Sequence, residues 1–150
     1  MGFIHVAAVG DDPEPVLAAV REVGADEVVL IGAPEQAGRA AEVARALGAL
    51  GVETTWRPIE GDMLLGAIRL VQDIVAEREG RRDDVLVNLG AAGKGPSCAC
   101  LSAAFVAGVK AIDRDQGKLV FLPVLQFSYR EIVSEAKVAL LRVLDELGGE

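Results

Sequence analysis

Short aliphatic runs alternate along the chain with longer stretches whose apolar residues recur every three or four positions. The first run, residues 3–9 (FIHVAAV), stops at Gly10 and predicts a strand. Asp12 then stands as an N-cap, with Pro13 at the first helical position and Glu14 in the first turn. Val16, Leu17, Val20 and Val23 keep helical spacing until Gly24. Residues 27–32 (EVVLIG) predict a second strand, and an alanine-rich helix follows over roughly 35–50. Residues 52–59 (VETTWRPI) predict a more polar third strand, whose alternation and Pro58 place it at a sheet edge. Asp62 caps the next helix, with Leu64, Leu65, Ile68, Val71, Ile74 and Val75 as its apolar face. Glu79, Gly80, Arg81, Arg82 and Asp83 make a polar turn.

Residues 84–89 (DVLVNL) predict the fourth strand, which runs at once into Gly90-Ala91-Ala92-Gly93-Lys94-Gly95-Pro96. Helix resumes at Ser97 and continues to about Val106. Residues 109–113 and 118–125 predict two more strands around a tight turn at Asp115, Gln116 and Gly117. That turn suits a hairpin, so one of the two strands is antiparallel to its neighbour. The last helix covers 128–147, with Ser128 and Glu131 as a capping box. Ile132, Ala136, Leu140, Val143, Leu144 and Leu147 form its apolar stripe, and Gly148 and Gly149 stop it. The order implies an α/β fold: a doubly wound, Rossmann-like, mostly parallel sheet of about six strands, with helices on both faces and one antiparallel strand near the C-terminus. Residues 1–127 read as one ligand-binding domain and 128–150 as a C-terminal helix.

Composition sharpens this picture. The 150 residues match one domain, and hydrophobic residues make up 51% of them. Aromatics are only 4%, so the core is built from Ala, Val, Leu and Ile, as buried parallel strands require. The net charge is −8 and no basic stripe exists, which argues against duplex DNA binding by this chain alone. Cys98 and Cys100 lie two apart in a helix, too far round it for a disulfide, and read as buried small hydrophobes. One histidine and two such cysteines assemble no metal site and no catalytic triad, and no cofactor is implied. No apolar run reaches the roughly 18 residues of a membrane span, and no signal peptide opens the chain, so a cytoplasmic location is expected.

Chemistry belongs at the carboxyl ends of the strands, where strand order reverses. Two strand-to-helix loops stand there: Gly10, Asp11 and Asp12 after the first strand, and Gly90 to Gly95 after the fourth. Each offers free backbone N–H groups and the positive end of a helix dipole to an anion. The second loop is the stronger candidate. Gly90, Ala91, Ala92, Gly93 and Gly95 remove side-chain bulk, Lys94 supplies its positive charge, and Ser97 either caps the helix or donates to a phosphate oxygen. A plain tight turn with a solvated lysine is the competing reading. Gly95 stands where a Walker P-loop needs Ser or Thr, and the dinucleotide fingerprint is missing after the first strand. Asn88 either ties the loop together or reads a base or ribose. Asp11 and Asp12 form a carboxylate pair or cap the helix, the latter favoured by Pro13. His5 reads as a core residue, and Trp56 and Arg57 as ordinary edge-strand residues.

Gly10 after strand one, together with Val87-Asn88-Leu89-Gly90-Ala91-Ala92-Gly93-Lys94 after strand four, resembles the CARF domain, the CRISPR-associated Rossmann fold. Asn88 and Lys94 fill that family's Asn and Lys positions, whereas Ala92-Gly93 replaces its glycine pair and no Thr precedes Lys94. The resemblance implies a homodimer whose paired loops bind a cyclic oligoadenylate. It would put Gly10, Asp11, Asp12, Asn88 and Gly90 to Lys94 at the ligand. The stretch from Ser134 to Gly149 is similar to the opening helix of a winged helix-turn-helix, as in CARF transcription regulators, although no recognition helix follows before Glu150. Three functions follow: a non-catalytic ligand sensor that regulates transcription or a CRISPR-linked response; a ring nuclease using Lys94 and Ser97; and a ligand-free dimerisation module.

Overall fold

The structure, a computed structural model, describes residues 2–123 and 129–148. Strand β1 (Ile4–Ala8) is buried along its whole length and lies inside a six-stranded sheet. Around it stand β2 (Glu27–Gly32), β3 (Glu53–Pro58), β4 (Val85–Asn88), β5 (Lys110–Asp115) and β6 (Lys118–Leu122), in the order β3-β2-β1-β4-β5-β6. All neighbours are parallel except β5 and β6. The register sets Val6 between Val29 of β2 and Val87 of β4. The expected Rossmann-like sheet is therefore present, with β3 at one edge and the antiparallel hairpin at the other. Gln116 and Gly117 turn that hairpin with φ of 50° and 78°, the left-handed backbone of a type I′ turn.

Alternate residues of the buried strands feed two cores. Ile4, Val6 and Ala8, with Val29, Ile31, Val85 and Val87, face helices α3 (Met63–Glu77) and α4 (Lys94–Ala107). Ala7 and Val9, with Val28 and Leu30, face α1 (Glu14–Val23) and α2 (Ala37–Ala49). Ala99, Cys100, Ala103, Ala104 and Ala107 leave α4 so thin that it packs closely against Val71 and Ile74 of α3. Helix α5 (Tyr129–Gly148) makes its main contact with α4. No helix among the described residues is long and apolar enough to cross a membrane.

Several boundaries and faces differ from expectation. Helix α1 opens at Glu14, so Pro13 is the N-cap; Asp12 Oδ1 still accepts the Glu14 N–H at 2.9 Å. Helix α4 opens at Lys94 rather than Ser97. Proline fits its third position because first-turn N–H groups have no intrahelical partner anyway. Leu64 and Leu65 are exposed: the face of α3 that meets the core is Ala67, Val71, Ile74 and Val75, with Met63 and Ile68 partly buried beside it. Cys98 is exposed and Cys100 buried, as a separation of about 200° round a helix dictates. Burial pushes the Cys100 thiol up to about 11. Asp62 caps α3 as expected, its Oδ1 accepting the Leu65 N–H at 2.8 Å. In α5, Leu140, Val143, Leu144 and Leu147 are half to three-quarters exposed. The capping box expected at Ser128 falls outside the described residues.

His5 is fully buried in β1, and its Nε2–H donates to the Gly24 carbonyl at 2.9 Å. Its Nδ1 is buried with no partner among the described residues. Desolvation therefore lowers its pKa from the ordinary 6.5, against a smaller opposing effect of the Gly24 bond. The unfolded chain takes up this proton before the folded one does, so stability falls as pH drops below 6.5. Urea midpoints measured between neutral pH and pH 5 should show that decline, and His5→Gln should flatten it.

Candidate functional site

The chain passes from one face of the sheet to the other between β1 and β4. Helices α1 and α2 cover one face, α3 and α4 the other, and strand order reverses where β1 lies beside β4. The loops after these two strands meet there. A Cβ on Gly10 would stand 1.5 Å from the Ala91 carbonyl oxygen. A Cβ on Gly90 would stand 2.9 Å from Pro15 Cβ, at the start of α1. The fold thus brings Gly10 into backbone contact with Ala91 that leaves no room for a side chain, and sets Gly90 against Pro15.

Asn88 ends β4 and is almost fully buried. Its Oδ1 accepts the Gly90 N–H at 2.9 Å, an Asx turn that starts the loop, while its Nδ2 is buried with no partner among the described residues. Ser97 closes the far end of the loop. Its Oγ lies 3.2 Å from the Leu89 carbonyl and 3.0 Å from that of Ala92, so its single hydrogen is directed into the loop. The Ser97 N–H makes the first helical bond of α4, to Gly93 O at 2.8 Å. Pro96 has no N–H, the amides of Lys94 and Gly95 have no partner among the described residues, and Gly93, Lys94 and Gly95 are all exposed. The loop proper spans Leu89–Gly93, and Lys94 rides on the first helical residue.

The carboxylates of the first loop are both engaged. Asp12 caps α1, and Asp11 pairs with Arg39 of α2. Gln36, just before α2, ties this corner together: its Nε2 donates to Val9 O at 3.1 Å and its Oε1 accepts the Ala33 N–H at 2.9 Å. Sequence reasoning missed Gln36 and Arg39, since no local pattern joins them to the loop after β1. His5 lies toward the opposite end of β1, against Gly24. Trp56 packs over the α1–α2 core, and Arg57 pairs with Glu77. A groove of about 420 Å³ lies over β3 and the start of α3, lined by Ile59, Asp62, Leu65, Arg69 and Asp73. It holds none of the predicted site residues. Among the described residues, no cluster of three His, Cys, Asp or Glu side chains gathers to hold a metal.

A family model described as "HFX_2341_N:-like, N-terminal" matches residues 3–113. The chain belongs to that family. The likeness to CARF domains read from the two loops holds with it. A solved structure of a type III CRISPR defence DNA nuclease activated by cyclic oligoadenylate is 26% identical, with a TM-score of 0.59, covering 81% of this chain and 20% of that one. The protein VC1899 from Vibrio cholerae shares the fold at a TM-score of 0.69 and 14% identity, over 85% of this chain and 33% of its own. Can2 from Sulfobacillus thermosulfidooxidans, solved in complex with cyclic tetra-adenylate, shares the fold at 0.65 and 13% identity, over 83% and 36%. This family member therefore spans between a fifth and about a third of the length of these structures. No curated protein matches its sequence.

The two kinds of glycine at the site separate in a stability assay. Gly10→Ala drives a methyl into the Ala91 carbonyl and should cost about 3 kcal/mol, near the upper range for overpacking. Gly95→Ala meets nothing within 4 Å and lies in a helical turn, so it should be neutral or stabilising by up to about 1 kcal/mol. Urea denaturation of both variants checks the contrast.

Proposed function

We propose that this chain is a non-catalytic sensor domain that binds a cyclic oligoadenylate at the switch point between β1 and β4. The observation that carries the reading is the close contact of the two loops, beside a helix start with free amides and Lys94 in its first turn. Phosphate is suited to such a terminus, because unpaired N–H groups and the helix dipole favour negative charge. The unpartnered Asn88 Nδ2 supplies a further donor at the base of the loop. Two proteins of similar fold, the CRISPR defence nuclease activated by cyclic oligoadenylate and Can2 in complex with cyclic tetra-adenylate, support this ligand class.

Gly93, Lys94 and Gly95 are open to solvent in a single copy. A second copy across a dyad supplies the other wall of the pocket, doubling the lysines and helix termini around a polyanionic ring. Ligand binding then shifts the dimer between arrangements of different affinity. Helix α5, whose apolar stripe is uncovered, passes the change to a DNA-binding or other effector. The Ser97 hydroxyl, turned into its own loop, favours binding over ring cleavage. The uncovered stripe of α5 also favours a second reading, a dimerisation module that needs no ligand.

Calorimetric titration with cyclic tetra- and hexa-adenylate tests the first reading, with chromatography of the products. One ring should bind without forming linear products. Lys94→Ala should weaken binding about tenfold, as loss of one charge-assisted contact implies, with no change in stability. Absence of binding by either ring at low salt would leave only the module reading.

A further inference from the structure

A polyanion at the switch point requires more positive charge than Lys94 brings, and the structure holds a second cation beside the first loop. Arg39 is the third residue of α2, and its Nη1 meets Asp11 Oδ1 across 28 residues of sequence. Nε and Nη2 of Arg39 have no partner among the described residues. The pair lies on the surface, with 51% of the Arg39 side chain and 95% of that of Asp11 exposed. Ion pairs this exposed contribute little to stability and exchange readily. Phosphate is a better match for the planar guanidinium, which can hold two of its oxygens at once. The helix that carries Arg39 is itself anchored, because Gln36 bonds Val9 O at the end of β1 and the Ala33 N–H.

We propose that Arg39 is a second phosphate-binding residue of this site and that Asp11 competes with the ligand for it. This rests on the reading of the site as a phosphorylated-ligand pocket. In the empty chain Asp11 holds the guanidinium over the first loop. An incoming phosphate takes over its remaining donors and displaces the carboxylate. Asp11 thereby lowers affinity and sets how much phosphate charge a ligand must present. The arrangement also accounts for an acidic residue in a loop that faces an anion.

Wild type, Arg39→Ala, Asp11→Asn and the double variant are titrated with cyclic tetra- and hexa-adenylate at two salt concentrations, after their thermal midpoints have been matched. Arg39→Ala should bind at least tenfold more weakly, with a shallower salt dependence. Asp11→Asn should bind several-fold more tightly, and most of that gain should disappear when Arg39 is absent. Wild-type affinity in Arg39→Ala, or an equal Asp11→Asn gain in both backgrounds, overturns the proposal and leaves the pocket reading standing. A wild type that binds neither ring overturns both.

Discussion

The carbonyl of Ala91 fills the space in which a side chain at residue 10 would sit, and the geometry of the sheet's open end follows from that contact. It fixes how far the loop after β4 can rise above the sheet and holds it against the start of α1 through Gly90 and Pro15. Asn88 and Ser97 then pin the two ends of the loop with side-chain hydrogen bonds. What stays unpaired among the described residues is the pair of amides of Lys94 and Gly95 at the exposed start of α4. Two neighbouring strands that end at the same height, with their connections leaving toward opposite faces, create such a crevice in any sheet of this order.

Charge is distributed unevenly along the strand axis. At the amino ends of the strands, Arg78 pairs with Glu27, and Arg81 with Asp26 and Asp84. The Arg81 guanidinium also donates to the Gly2 carbonyl at 2.6 Å, holding the start of the chain against the sheet. Those arginines hold the fold together and are already matched. At the carboxyl end of β1, the ion pair at the first loop joins a half-exposed arginine to an almost fully exposed aspartate. A net charge of −8 makes each cation at that end count for more in anion recognition.

Much of the fold could be read from the sequence because fully buried parallel strands announce themselves as aliphatic runs, and each glycine or aspartate between them marks a helix end. Residues 3–9 and 27–32 became β1 and β2 with little change, and Pro58 marked the edge strand correctly. Errors arose where a local rule met a tertiary one. The helix expected from Ser97 begins at Lys94, because a first turn tolerates the proline at 96. Leu64 and Leu65 kept helical spacing but are exposed, while Met63 beside them packs against the core. In the loop after β4, the turn-forming part of Asn88 was legible because it bonds two residues along its own loop, whereas the contacts of Gly10 with Ala91 and of Gly90 with Pro15 join segments far apart in sequence. Gln36 and Arg39 were not legible, since they reach the first loop only after α2 has folded across it.

Cys98 lies one turn into α4, exposed, four residues beyond Lys94, while Cys100 is sealed against α3 with its thiol held at about 11. Alkylating reagents attack thiolates, so at neutral pH they distinguish these two sulfurs almost completely. The native chain consequently carries a single addressable attachment point beside the open end of its sheet. A fluorophore or spin label placed there would report on that corner without any engineered residue.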